Sequence, residues 1–258
     1  MERHRGRAIA GAGVIMLDLH CHVLPGLDDG PQTLEESLAL ARFSVGDGIT
    51  HIVATPHCHR HLRLLRADIL PRVAKFNEEL KKADVPLVVF PGSEIQLTDA
   101  AEYQRDYEAR LLCHLGDNPA YTLLEFPWRD DSYPAGAAEH IRWLRDHGTT
   151  PVVAHPERHG YFRDEPGRLQ KLVDAGAWIQ ITVDSLLGNF GPNAQRAAEE
   201  LLRTYPYAVL ASDAHGSHRC SGLSAGYRIV QERHGEERAE DLKKRAETIL
   251  QAMPGQRC

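Results

Sequence analysis

The chain has 258 residues, 42% of them hydrophobic and 26% charged, with a formal net charge of −6. That is the make-up of one globular domain, long enough to bury a substantial core. The acidic balance and the lack of a lysine or arginine cluster speak against nucleic acid as a partner, and no run of 18 or more apolar residues is present to form a transmembrane helix.

Arg3, Arg5 and Arg7 precede the glycine-rich apolar residues 8–17 and faintly suggest a signal peptide, but no Ala-x-Ala cleavage site follows. Residues 1–15 are therefore expected to be a dispensable extension and 16–258 the working domain. The first strand is expected at 17–21, within Asp18-Leu19-His20-Cys21-His22. Residues two apart on a strand share a face, so His20 and His22 reach one metal ion together. Asp18 shares that face and is placed to orient His20, while Cys21 turns to the core. The turn Pro25-Gly26-Leu27-Asp28-Asp29-Gly30-Pro31 then brings two carboxylates close behind His22. Thr33-Leu34-Glu35-Glu36 is a capping box that opens a helix running to about Gly46.

A strand at 50–55 leads to Thr55-Pro56-His57, and one at 86–90 to Gly92-Ser93-Glu94, with a helix at 67–83 between them. Cys58, His59 and His61 read as loop residues, and Arg60, Arg63, Arg66 and Arg72 as a solvated basic helix face or an attractor of acidic tails. Residues 97–116 should hold a short helix and a loop. The strand at 121–125 ends in Glu125, followed by Phe126-Pro127-Trp128, where Trp128 either stacks on an aromatic substrate or packs in the core. After a helix at 135–147, the strand at 151–154 runs into His155-Pro156-Glu157-Arg158, with His159 either supporting the ligands or at the substrate edge of the same site. A helix at 165–175, a strand at 177–181, a helix at 192–205 and a strand at 208–211 lead to Asp213-Ala214-His215. Helices at 223–234 and 239–253 close the chain. Gly148, Gly176 and Gly235 sit where helices should stop.

Seven apolar strands alternating with helices predict a closed or nearly closed β/α barrel in a single domain, with an open doubly wound sheet as the competing topology. Six of the seven strands deliver a metal-ligand residue at the C-terminal end, where barrel enzymes build their sites. Each such residue alone reads as ordinary hydrogen-bonded structure. Together they would repel one another unless metal ions or substrate offset their charge, which points to a metal-dependent hydrolase. Three divalent ions would also bring the net charge to about zero.

The five cysteines are odd in number and form no Cys-x-x-Cys pair, so a disulfide framework is not expected and a reducing cytoplasm fits. A cysteine-dependent phosphatase is excluded. The residues six places after Cys21, Cys58, Cys113 and Cys220 are Leu27, Leu64, Pro119 and Gly226, with no arginine to close a phosphate loop, and Cys258 is last.

In order and spacing, His20-x-His22, Asp28-Asp29-Gly30, Thr55-Pro56-His57, Gly92-Ser93-Glu94, Leu124-Glu125-Phe126, Ala154-His155-Pro156-Glu157-Arg158 and Ser212-Asp213-Ala214-His215 resemble the PHP (polymerase and histidinol phosphatase) superfamily. More narrowly they resemble its manganese-dependent bacterial protein-tyrosine phosphatases, encoded with capsular and exopolysaccharide genes. The likeness spans Met16 to about His234. It implies a distorted seven-stranded (β/α)7 barrel and a trinuclear site. His20, His22, Glu94 and Asp213 would hold one ion and Asp29, His57 and His215 a second. Glu125 and His155 would hold the third, with Glu94 bridging. Arg158 would be the catalytic, phosphate-gripping arginine and Arg219 a second. Manganese is the implied metal, and the donor set also admits iron, zinc or magnesium. Four carboxylates against three dications leave about +2, which suits a phosphate dianion. The implied substrate is a phosphotyrosine-bearing protein, the tail of a bacterial tyrosine autokinase. A small-molecule phosphomonoesterase of the histidinol-phosphate type and a non-catalytic metal-binding module are the alternatives, and the charge balance disfavours a nuclease.

Overall fold

The computed structural model describes residues 15–216, 219–220 and 222–255. Most of the expected extension, residues 1–14, lies outside them, as does Cys258. Strand β1 (Leu17–Cys21) is followed by α1 (Leu34–Gly46), whose capping box forms as expected: the Thr33 side chain accepts from Glu36 N–H while the Glu36 carboxylate accepts from Thr33 N–H. Next come β2 (His51–Ala54), β3 (His57–His59), β4 (Leu62–Arg63), α2 (Arg66–Lys82), β5 (Val88–Pro91), β6 (Glu94–Gln96) and α3 (Ala100–Glu108). The second half runs β7 (Tyr121–Glu125), α4 (Ala137–Asp146), β8 (Thr150–Val153), α5 (Gly160–Asp164), α6 (Pro166–Asp174), β9 (Trp178–Thr182) and α7 (Val183–Leu187). It ends with α8 (Gly191–Thr204), β10 (Ala208–Ala211), α9 (Leu223–His234) and α10 (Glu236–Gln251).

The strands form two sheets, β1-β2-β5 and β10-β9-β8-β7-β6-β3-β4, all pairs parallel except the β3–β4 hairpin. Two strands expected to be single are therefore interrupted. Pro56 has no N–H for a ladder and separates β2 from β3. Gly92 separates β5 from β6 at a close approach, where an added Cβ would lie 2.6 Å from Val53 Cγ1. After each break the chain joins the second sheet, so His57 and Glu94 begin strands rather than end them. The end of β1 is tied to the segment after β10 by a parallel bridge between Cys21 and Ala214, with His22 N–H donating to Ala214 O at 2.9 Å.

Strand residues such as Ile52, Leu124, Val153, Ile179 and Leu210 pack against the helices in the larger core. A second core holds Leu17, Leu19, Val53, Leu123, Val152 and Val209, capped by Ile249, Leu250 and Met253 of the α10 end. Asn118, just ahead of β7, donates to Ala252 O and fixes that cap at the N-terminal ends of the strands. No helix among the described residues is long and apolar enough to cross a membrane.

Two further readings of the sequence are corrected. The register of β1 against β2 shifts between Asp18 and Cys21, a bulge that ends the simple two-residue alternation. Asp18 consequently does not orient the His20 ring; its carboxylate accepts from Ser212 N–H and Ser212 Oγ. Arg63 and Arg66 are not a free basic face, because Arg63 pairs with Glu102 and Asp106, and Arg66 with Asp117. Helices α5 and α7 are five-residue turns that no amphipathic period announces.

Candidate metal centre

Glu94, buried at the start of β6, is the hub of the polar end. Its Oε2 lies 3.3 Å from His20 Nε2, 3.5 Å from His22 Nε2 and 2.9 Å from His57 Nδ1, and its Oε1 lies 2.7 Å from His155 Nε2. Asp213 Oδ1 is 3.3 Å from His20 Nε2 and 3.5 Å from His22 Nε2. On the outer side Asp29 Oδ1 sits 3.4 Å from His57 Nε2 and 3.3 Å from His215 Nε2. Donor atoms within metal-ligating reach of one another fall into four overlapping sets: His22, Asp29, His57 and His215; His20, His155 and Asp213; His20, His22 and Glu94; and His57, Glu94 and Glu125. All nine candidate ligands thus belong to one cluster. The sets differ in three respects from the implied sharing: Glu125 groups with His57, His155 with His20 and Asp213, and His22 also with Asp29, His57 and His215.

Neighbouring groups fix the orientation of these side chains. Gln180, on β9, accepts from His20 Nδ1–H at 3.0 Å and from His155 N–H at 3.2 Å. Asp28 Oδ2 is 2.7 Å from His22 Nδ1 and also accepts from His57 N–H. Such partners hold the tautomer that leaves Nε2 free to ligate. The Asp28–Gly30 turn can lie against β1 only because residue 30 lacks a Cβ, which would fall 2.4 Å from His22 O. His155 (φ 32°) and Asp213 (φ 52°) both take the left-handed conformation that side-chain-bearing residues avoid, a strain that aims them into the cluster.

The donor set fits metal ions. His57 Nδ1 and Glu94 Oε2 are 2.9 Å apart without hydrogen-bond geometry, and among the described residues neither has a hydrogen-bond partner, nor do Glu125 Oε1 and His155 Nδ1. Buried imidazole nitrogens and carboxylate oxygens brought this close together are what a bound cation satisfies. In the protein alone, burial pushes Glu125 up to about 8, reinforced by the Glu94 charge. Burial works against protonation of His57, but Glu94 and Asp29 override it and hold His57 up to about 10. Cations would reverse both.

At the edge of this cluster, Arg158 Nη1 donates to Asp213 Oδ2 at 2.6 Å, and Arg219 Nη2 donates to the same oxygen. The Arg158 guanidinium lies 4.8 Å from the Trp128 ring centroid and 4.2 Å from that of Phe190, and Arg219 lies 5.4 Å from Phe190. Trp128 is 47% exposed and stacks on His155 and His159, so it is a rim residue and not a core residue. His159 is fully buried beneath it. Glu157 turns away from the metals, its Oε1 accepting from Thr182 N–H and Ser185 Oγ–H. Cys21 and Cys58 are buried in the core, and His61 is exposed. Sequence reasoning missed Gln180, Asp28's supporting role and Phe190. Gln180 left one trace, an amide between Ile179 and Ile181 in a buried strand.

Residues 16–251 match the family model described as capsular polysaccharide synthesis, CpsB/CapC. The tyrosine-protein phosphatase YwqE of Bacillus subtilis is 35% identical over 237 residues, 91% of each chain. The putative tyrosine-protein phosphatase CapC of Staphylococcus aureus is 34% identical over 78% of this chain and 77% of its own. A crystal structure from the pair YwqE of Bacillus subtilis and CpsB of Streptococcus pneumoniae, described as metal-dependent tyrosine phosphatases, superposes with a TM-score of 0.86 at 34% identity, covering 92% of this chain and 95% of that one. A phosphotriesterase from Mycobacterium tuberculosis, at a TM-score of 0.55 and 13% identity, shares the fold alone.

Proposed function

This chain belongs to the CpsB/CapC family of capsular polysaccharide synthesis proteins, and from that premise we propose that it is a metal-dependent phosphatase of protein phosphotyrosine. The observation that carries this reading is the meeting of two guanidiniums on Asp213, a member of the cluster. Tetrahedral anions are gripped where fixed cations and metals face one point.

Three divalent ions, manganese in the first instance, are proposed. His20, His22, Glu94 and Asp213 would hold one, Asp29, His57 and His215 a second, and Glu125 and His155 the third, with Glu94 shared. Such ions supply Lewis acidity and a source of hydroxide near neutral pH. The chain's own residues do the rest. Arg158 and Arg219 would leave Asp213 for the equatorial oxygens of the phosphoryl group, where charge builds in the transition state. The Arg158 guanidinium lies against both the Trp128 and Phe190 rings, which would present aromatic surface to the tyrosyl group. Tyrosinate, with a pKa of about 10, leaves without a dedicated general acid. The substrate is proposed to be the tail of a tyrosine autokinase in capsule or exopolysaccharide synthesis, with the reaction in the cytoplasm. The break-and-resume path of β2/β3 and β5/β6, with the Cys21–Ala214 bridge, supports reading the strands as a distorted seven-stranded barrel.

Phosphate release from a phosphotyrosine peptide, a phosphoserine peptide and histidinol phosphate, each with Mn²⁺ and with EDTA, tests the function. We expect metal-dependent turnover of the first, abolished by EDTA. Preference for histidinol phosphate would replace this reading with a small-molecule phosphatase. No hydrolysis with the metals bound would replace it with a binding module.

A further inference from the structure

Beside the cluster lies a cavity of about 520 Å³ walled by Asp29 and His215 on one side and by α1 on the other. Glu36, Ala39, Leu40 and Phe43 supply the α1 wall, at the i, i+3, i+4, i+7 spacing that defines a single helix face. Phe43 is 45% exposed although it faces this hollow, while Leu40 beneath it is 3% exposed. Glu36 is occupied by the cap, accepting from Gln32 and Thr33 N–H, so the helical wall is chiefly apolar. A second hollow of similar size, between α6 and α8, touches none of the proposed metal ligands.

We propose that the α1 groove is a peptide subsite: it takes the segment flanking the phosphotyrosine and seats one apolar side chain on Phe43 and Leu40. The inference rests on the phosphotyrosine reading above. A phosphotyrosine whose phosphate lies on the cluster must lead its own chain over the rim, and this groove is continuous with the cluster through Asp29 and His215. From Glu36 to Phe43 the stripe is about 10 Å long. An extended peptide covers that length in about three residues. The groove therefore holds about three residues of the flanking segment.

The test compares kcat/KM for phosphotyrosine peptides that differ only by Leu or Asp within three positions on either side, with p-nitrophenyl phosphate as a substrate that has no flanking chain. The wild-type chain should prefer a Leu peptide by about fivefold or more. Phe43→Ser should lower peptide efficiency relative to p-nitrophenyl phosphate and erase the preference, and Phe43→Leu should restore most of it. Equal efficiency on Leu and Asp peptides, or an equal loss on peptide and p-nitrophenyl phosphate in Phe43→Ser, overturns the subsite while leaving the phosphatase standing. Loss of a dimer in sedimentation of Phe43→Ser, with peptide preference intact, assigns the groove to a second copy and also overturns it. No turnover of any phosphotyrosine substrate by the manganese-loaded wild type overturns the phosphatase reading, and the subsite falls with it.

Discussion

The two ends of the strand array are built from opposite materials. At the N-terminal ends Leu17, Leu19, Val53, Leu123, Val152 and Val209 close on one another beneath the end of α10. At the opposite, polar end Glu94, Glu125, Asp213 and five buried or half-buried imidazoles crowd together, several with atoms that find no partner among the described residues. The first arrangement stabilises the fold through burial. The second opposes folding unless cations arrive, because buried carboxylates and convergent lone pairs carry a desolvation cost that protein contacts alone do not offset. The polar end is therefore expected to govern turnover and metal-linked stability, and the apolar end to govern intrinsic stability.

The harshest trial of that division is Glu94→Gln. As the hub of four imidazoles, Glu94 should be worth a loss of at least about a thousandfold in turnover. Manganese should raise the Tm of the wild-type chain by mass action and leave the variant's Tm nearly unmoved. A variant that still gained its full metal-dependent Tm shift would show that the cluster does not depend on its centre. Arg158→Ala comes next, with kcat expected to fall by about a hundred- to a thousandfold. Its metal content, read by elemental analysis, should stay at the wild-type level. Loss of metal instead would make Arg158 a clamp on Asp213 and not a grip on phosphate.

Most ligand residues could be read from the sequence because they are chemically distinctive side chains that follow an apolar run, and a metal cluster needs several of them at once. The supporting residues could not. Gln180 and Asp28 are ordinary side chains whose partners, His20, His155 and His22, are set by packing across strands. Phe190 lies in a turn far along the chain from Arg158, and only folding brings its ring within 4.2 Å of that guanidinium. The bulge in β1 was hidden for a related reason. A two-residue alternation places Asp18 with His20, whereas the real constraint is the reach of Asp18 to Ser212, 194 positions away. Strand order within the second sheet was legible as far as β/α alternation carries. Pro56 and Gly92 stand in motifs that read as strand ends, since nothing local says that the chain resumes as a strand.

At the apolar end the expected effect is on folding alone. Leu123 is fully buried in the second core, and Leu123→Ala should cost roughly 3 kcal/mol, a Tm lower by roughly 6–12 °C. Turnover per folded molecule and metal content should match the wild type. A large fall in kcat with little change in Tm would mean that the apolar end sets ligand geometry as well, and the contrast between the ends would have to be redrawn.

The smallest effect probes the boundary between the two materials. Glu157 stands at the polar end but serves structure, buried and bonded to Thr182 N–H and Ser185 Oγ–H. Burial pushes its carboxyl from 4.5 up to about 7. A raised folded value means that the native state holds the proton more tightly than the unfolded chain. Glu157 therefore adds stability that is complete below about 4.5 and is lost as the pH rises through about 7, with a slope of at most about 1.4 kcal/mol per pH unit. Glu157→Gln removes that titration, so its Tm should fall less steeply than the wild type's between those values in metal-free protein. Parallel Tm profiles would show that Glu157 titrates alike in both states. Its carboxyl would then belong with the solvated acids, and the polar end would be confined to the cluster itself.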